Sequence, residues 1–296
     1  MAAKNLMNVE SGRYCVLKSE DCFAIDQFNL SLGQMKPSND SPKLKIIYDL
    51  GANNGDDIPY YLLKAELVIA VEANPLLANN IKERFKLEIV QGKLIVENCV
   101  VTIDDNSNSV SFYIHKNNHV LSQFPCPEDH QINSYEKVSL PSKNILQLIK
   151  TYGEPYYIKI DIEKYDHIIL ENLFINNIKP PYISAESHSI DVFALLVSMG
   201  KYEAFKLVDG NTVSSRYQNR KINTLHGHQL YSFPFHSAGP FGNDIDGSWI
   251  NKNNFFRILG FAGLGWKDIH ASAIDTADLN YNPQPHIQVS SISIPF

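Results

Sequence analysis

A chain of 296 residues, 44% of them hydrophobic, holds enough apolar material for a large core, which excludes disorder as its default state. A formal net charge of -6 excludes binding by broad phosphate neutralisation, so no nucleic-acid partner is expected. The opening MAAKNLMNVE lacks the apolar core of a secretory signal, and no run approaches the roughly 20 apolar residues of a membrane span. A cytoplasmic protein with no membrane partner is the expectation.

Residues 1–43 form an N-terminal extension with few structural signals, ending in the linker-like KPSNDSPK. Cys15, Cys22, Cys99 and Cys126 stand at spacings that fit no zinc pattern and are read as idle thiols. From residue 44 to 213, β-rich runs alternate with helical ones. The strands are KIIYDL, ELVIAVEA, KLIVENCVV, YYIKIDI, PYISAES and EAFKLVD; the helices are PLLANNIKERF, NILQLIKTY, HIILENLF and DVFALLVSM. That alternation predicts an α/β core with a parallel sheet covered on both faces. TIDDNSNSVSFYIHKNN (residues 102–118) interrupts it and is read as a turn and extra strand, a hairpin over the site. Residues 214–296, with the Pro/Gly/His-rich FPFHSAGPFGNDIDGSW, are read as a C-terminal extension packed on the core and a candidate substrate cap.

The turn YDLGANNGDD (Tyr48–Asp57) joins the first strand to a helix. Its order, Asp49-x-Gly51-x-x-x-Gly55, differs from the dinucleotide fingerprint G-x-G-x-x-G. Asp49 would repel a pyrophosphate, whereas S-adenosyl-L-methionine has no phosphate and carries a cationic sulfonium and ammonium. Gly51 would let the backbone pass close to that cofactor, and Gly55 would let the next helix pack. Glu72, ending the second strand, can accept hydrogen bonds from both ribose hydroxyls.

These segments resemble the FkbM family of S-adenosylmethionine-dependent methyltransferases. DLGANNGDDI is similar to the family's D-V-G-A-N-x-G-x-x-T, VEANP to F-E-P-N-P and KIDIEKYD to K-I-D-V-E-G-x-E. The resemblance spans about residues 44–210 and implies a doubly wound, Rossmann-like class I methyltransferase sheet. It implies cofactor contacts at Asp49, Gly51, Asn53, Gly55, Glu72, Asn74 and Asp161, and O-methylation of a hydroxyl on a sugar, glycan or related small metabolite. Three positions depart from it: Ile58 for Thr or Ser, Lys164 for Gly, and Asp166 for Glu.

In an open α/β sheet, ligands sit outside the carboxyl ends of the strands. On that rule Asp49, Glu72, Asp161, Glu163, Glu186 and His188 share a rim. His188 or Asp161 is the candidate general base, with Glu163, Glu186 and His115 on the acceptor side. An alternative makes Asp161, Glu186 and His188 ligands of a divalent ion; it is not favoured, and no metal ligand is assigned. His119 could line the acceptor pocket beside His115, and Arg216, Arg220 and Lys221 could receive an anionic group of the substrate, but solvated loop residues are the favoured reading of all four; His226, His228, His236 and His270 lie in the extension and could cap the pocket. Two rivals to the methyltransferase are a nicotinamide-dependent oxidoreductase and a catalytically silent methyltransferase-like binding or scaffold domain.

Overall fold

The computed structural model describes residues 44–104, 108–279 and 281. The readings of residues 1–43, Cys15 and Cys22 among them, and of the tail beyond 281 lie outside the described residues. Among the described residues there are thirteen strands: β1 (Ile46–Leu50), β2 (Leu67–Val71), β3 (Leu94–Glu97), β4 (Val100–Thr102), β5 (Ser109–His115), β6 (Tyr135–Asn144), β7 (Tyr157–Ile160), β8 (Tyr182–Ser187), β9 (Ala204–Asp209), β10 (Arg220–Thr224), β11 (Gly227–Tyr231), β12 (Ile250–Asn251) and β13 (Gly265–Ser272). The helices are α1 (Ile58–Leu62), α2 (Pro75–Arg84), α3 (Lys86–Val90), α4 (Ile145–Tyr152), α5 (Asp166–Ile175), α6 (Ile190–Ser198), α7 (Val213–Arg216) and α8 (Lys252–Ala262).

Local chemistry explains the best-defined helices. Asn74 accepts from the Leu76 N–H at the start of α2, with Pro75 in the first turn where its missing N–H costs nothing. Asn144 caps α4 in the same way, and Gly153 ends that helix at φ 108°.

The eight-stranded sheet runs β12-β9-β13-β8-β7-β1-β2-β3. β1, β2, β3, β7 and β8 are parallel, and β13 runs antiparallel between β8 and β9. The chain moves outward from β1 to β3 and then returns to β7 on the other side of β1. Such a reversal opens a crevice at the strand ends. Alternate side chains feed two apolar layers: Tyr48 and Leu50 pack with Leu173 and Phe205 on one face, Ile47 with Tyr61 and Phe241 on the other. No described helix is long and apolar enough to cross a membrane.

Two expectations change. β5 does not close a hairpin within 102–118; it pairs antiparallel with β6, Val110 opposite Leu140, in a small sheet that also holds β4. The polar, proline-containing YEKVSLPSKN hides that partner in the sequence. The central sheet also does not end at residue 213, because β13 belongs to it. GWKDIHAS falls in the segment read as a C-terminal extension, yet its Asp268 and His270 are buried in the sheet.

Candidate active site

The glycine turn leaves β1 at the crevice. The Gly51 and Ala52 N–H groups donate to the Val71 carbonyl at 2.9 and 3.0 Å, bending the chain over the end of β2. Gly51 sits at φ +87°, and a Cβ there would lie 1.8 Å from the Asp161 carbonyl oxygen. The turn thus passes hard against the end of β7, where no side chain fits, and Gly51 also lines the cavity. At Gly55, a Cβ would press on Ile81 and Phe85 at 3.1 and 3.2 Å, so its bareness lets α2 close on the turn.

Glu72 is buried and accepts two backbone N–H groups, from Asn53 and from Asn74, each at 2.7 Å. Asn53 reaches this position at φ 48°, a region where asparagine is better tolerated than most residues. Burial pushes the Glu72 carboxyl up to about 7 despite those two bonds. Asn74 serves the site through its backbone and through the cap of α2.

Asp49 is fully buried and does not line the cavity: its carboxylate turns inward to the Lys159 ammonium at 3.2 Å. Lys159 is itself 3% exposed. It also lies 3.2 Å from Asp161 and 3.9 Å from Asp57, and donates to the Gly51 carbonyl at 3.1 Å. One ammonium thus ties the end of β7 to the turn after β1. It was not singled out in the sequence; the signal was a lysine inside an apolar strand, whose charge must find partners when buried.

The crevice is a cavity of about 650 Å³. Toward β2 and β3 it is bounded by Gly51, Asn53, Glu72, Leu77, Cys99 and Val101; toward β7, β8 and β13 by Asp161, Glu163, Glu186, His188 and Trp266. Phe112, His119, Leu121 and Phe124 come from β5 and the segment after it, Tyr165 from the start of α5, and Phe235 and His236 from the C-terminal segment. Sequence reasoning offered His119 and His236 as pocket residues but missed the Phe, Tyr and Trp walls, because no local pattern marks them.

His188 lies 2.7 Å from Glu186 and 3.4 Å from Glu163. Glu163 and then Glu186 raise the imidazole to about 10, so it already holds a proton at neutral pH. This corrects its expected role as general base. Burial raises Glu186 to about 7. The donor atoms of Glu163, Glu186 and His188 lie within 4.8 Å of one another and could hold a metal ion, if the imidazole proton left. In the expected metal set Asp161 stood in place of Glu163, but Asp161 faces Lys159. Glu163 and Lys164 are both left-handed, at φ 49° and 68°. Lys164 stands where the resembling family has glycine, so strain is held beside the site.

His115 does not line the cavity. Its Nδ1 accepts the Asn117 and Asn118 N–H groups at 3.3 and 3.0 Å, shaping the turn that presents His119. Arg216 and Arg220 pair with Asp246 outside the cavity, and Lys221, His226 and His228 are exposed. His270 is buried in β13, where burial pushes it down to about 3 and keeps it neutral.

A doubly wound parallel sheet with an inserted antiparallel strand, opening its crevice at β1, defines a class I methyltransferase fold. The methyltransferase FkbM domain matches residues 49–206, and the chain belongs to that family. Similar solved structures include a methyltransferase FkbM from Methylobacillus flagellatus KT, at 16% identity and TM-score 0.39 over 56% of this chain and 40% of that one. Trm5b from Pyrococcus abyssi is similar at 15% identity and TM-score 0.28, over 57% and 38% of the two chains. Precorrin-6y C5,15-methyltransferase from Geobacter metallireducens GS-15 is similar at 10% and 0.32, over 64% and 73%. The matched region thus spans about two fifths of the first two relatives. No curated protein matches the chain.

Proposed function

We propose that the chain is an S-adenosylmethionine-dependent O-methyltransferase acting on a hydroxyl of a sugar, glycan or related small metabolite. The charge of the crevice carries this reading. Glu72, Asp161, Glu163 and Glu186 line it, with Asp49, Asp57 and Asp268 buried behind, against Lys159 and the protonated His188. Once Glu72 and Glu186 ionise, above about pH 7, the lining carboxylates outnumber these two cations, repel a pyrophosphate and attract a cation. S-adenosylmethionine supplies an electrophilic methyl group on a sulfonium. Glu72 lines the cavity and can accept its ribose hydroxyls, and the Asn53 Oδ1, buried without a hydrogen-bond partner among the described residues, can accept a further donor. Leu77, Cys99 and Val101 offer an apolar berth for the adenine.

On the acceptor side, Glu186 takes the hydroxyl proton and His188, between the two glutamates, holds it in place. Holding acceptor and methyl in line contributes the rest. The test is unfolding of the purified chain with S-adenosylhomocysteine and, separately, with NAD. At a hundredfold excess over the dissociation constant the bound cofactor product adds about 2.7 kcal/mol, and a shift with it alone is expected. A shift with NAD alone revives the oxidoreductase; no shift with either leaves the silent scaffold domain. Once an acceptor is found, Glu186→Gln is expected to slow transfer by about 10²–10⁴-fold with unchanged S-adenosylhomocysteine affinity. The convergence of Glu163, Glu186 and His188 favours a second reading, in which a divalent ion orients the acceptor oxygen. Full transfer activity after exhaustive chelation would exclude it.

A further inference from the structure

The segment HSAGPFGND has no part in the chemistry above, yet it is firmly anchored. Asp57, in the glycine turn, accepts the Ser237 hydroxyl and the Ala238 N–H, and Ser237 is 1% exposed. Further along, Asp244 accepts from Tyr60 at 2.8 Å and Lys64 at 2.6 Å, and Phe241 stacks on Tyr157 with centroids 4.0 Å apart. This strap carries Phe235 and His236 to the cavity.

Opposite, β13 delivers Trp266. The register of β13 on β8 shifts between Gly265, opposite Ser187, and Asp268, opposite Glu186, and the irregularity turns Trp266 out beside the Glu186–His188 strand end. The indole rests on Gly210: a Cβ at that position would lie 2.5 Å from its Cε2 and Nε1. Phe235 and Trp266 meet edge to face, centroids 5.8 Å apart, while staying 54% and 36% exposed at the cavity wall. Two large rings, held by a bare glycine and a buried anchor and still open to solvent, are built to be covered.

We propose that Phe235 and Trp266 form the acceptor platform, and that it selects a pyranoside. The apolar face of the sugar ring lies on the Trp266 indole, with Phe235 flanking it edge to face, and its hydroxyls reach Glu163 and Glu186. A flat phenol or catechol would also stack, but its hydroxyls lie in the ring plane, whereas a pyranoside also projects hydroxyls off the ring toward carboxylates beside the platform. The inference rests on the methyltransferase reading of the same cavity.

The test uses the full chain saturated with S-adenosylhomocysteine and follows Trp266 emission, with Trp266→Phe supplying the Trp249 baseline. Methyl pyranosides of gluco, manno, galacto and rhamno configuration are titrated, with catechol as the flat control. At least one pyranoside is expected to change the emission saturably. Gly210→Ala, which displaces the indole and keeps it, is expected to weaken that binding about tenfold at unchanged S-adenosylhomocysteine affinity. Saturation by catechol alone overturns the pyranoside. No change with any probe in a protein that binds S-adenosylhomocysteine, or an unaltered titration in Gly210→Ala, overturns the platform. Failure to bind S-adenosylhomocysteine removes the methyltransferase reading and the platform with it.

Discussion

Lys159 decides much of the site at the scale of single residues. Its ammonium is buried among Asp49, Asp57 and Asp161, and removing one partner of a buried ionic cluster leaves charges that nothing compensates. Lys159→Met is expected to cost about 3–5 kcal/mol in denaturant unfolding, and adding Asp49→Asn should recover part of the loss. A single-mutant loss within experimental error would contradict the cluster's role. Glu72 stands differently, since its carboxylate both braces the turn and faces the cavity. Glu72→Ala should weaken S-adenosylhomocysteine binding by about tenfold or more, the worth of a charge-assisted hydrogen bond, read by calorimetry. Unaltered affinity would remove the ribose assignment. Glu72 and the glycines were legible because a turn between strand and helix constrains neighbours in the chain. The partners of Asp49 were not, since they come from strands and turns distant in sequence.

Among elements, α1 and the 236–244 strap act as a unit, joined through Asp57, Tyr60 and Lys64. Asp57→Ala leaves the Ser237 hydroxyl and the Ala238 N–H without their acceptor, at a cost of about 1–3 kcal/mol. Faster hydrogen exchange at residues 235–239 is expected, with that in β1 and β2 unchanged; uniform loss of protection would mean global destabilisation instead. The helices were readable from their spacing and caps, Asn74-Pro75 and Asn144 above all. β6 and β13 were not. Pro141 breaks the pattern of one, and in the other Asp268 and His270 occupy positions that sequence periodicity reserves for apolar residues. Their burial makes sense only beside β8 and β9.

Excess carboxyl burial shapes the behaviour of the whole molecule. Burial lifts Asp57 to about 6 and Glu72 to about 7, and holds Asp49 and Asp268 above the ordinary range. Each binds its proton more tightly folded than unfolded, so stability is lost as pH rises from the ordinary carboxyl range to about 7. His270 opposes this: kept neutral in the fold, it costs stability as pH falls below its ordinary range. Burial raises Asp166 and Glu186 as well, and His188, raised by Glu163 and Glu186, also loses its contribution as pH rises; together these outweigh the one buried imidazole of His270. The ligand-free protein is therefore expected to unfold at a higher temperature at pH 5.5 than at pH 7.5, and S-adenosylmethionine, a cation, to stabilise it more at pH 7.5. A profile rising from pH 5.5 to 7.5 would contradict the buried-carboxyl account.

The sequence by itself determined the alternating core, the glycine turn, the acid at the end of β2 and the family, because each is written in short-range spacing that the backbone must obey. The tertiary structure decided which charges meet. It turned Asp49 away from the cavity toward Lys159, set His188 between two glutamates as a cation, and brought Phe235 and Trp266 together from segments with no shared pattern. Charge pairing and ring contact depend on distances across the sheet, and local periodicity carries no information about those.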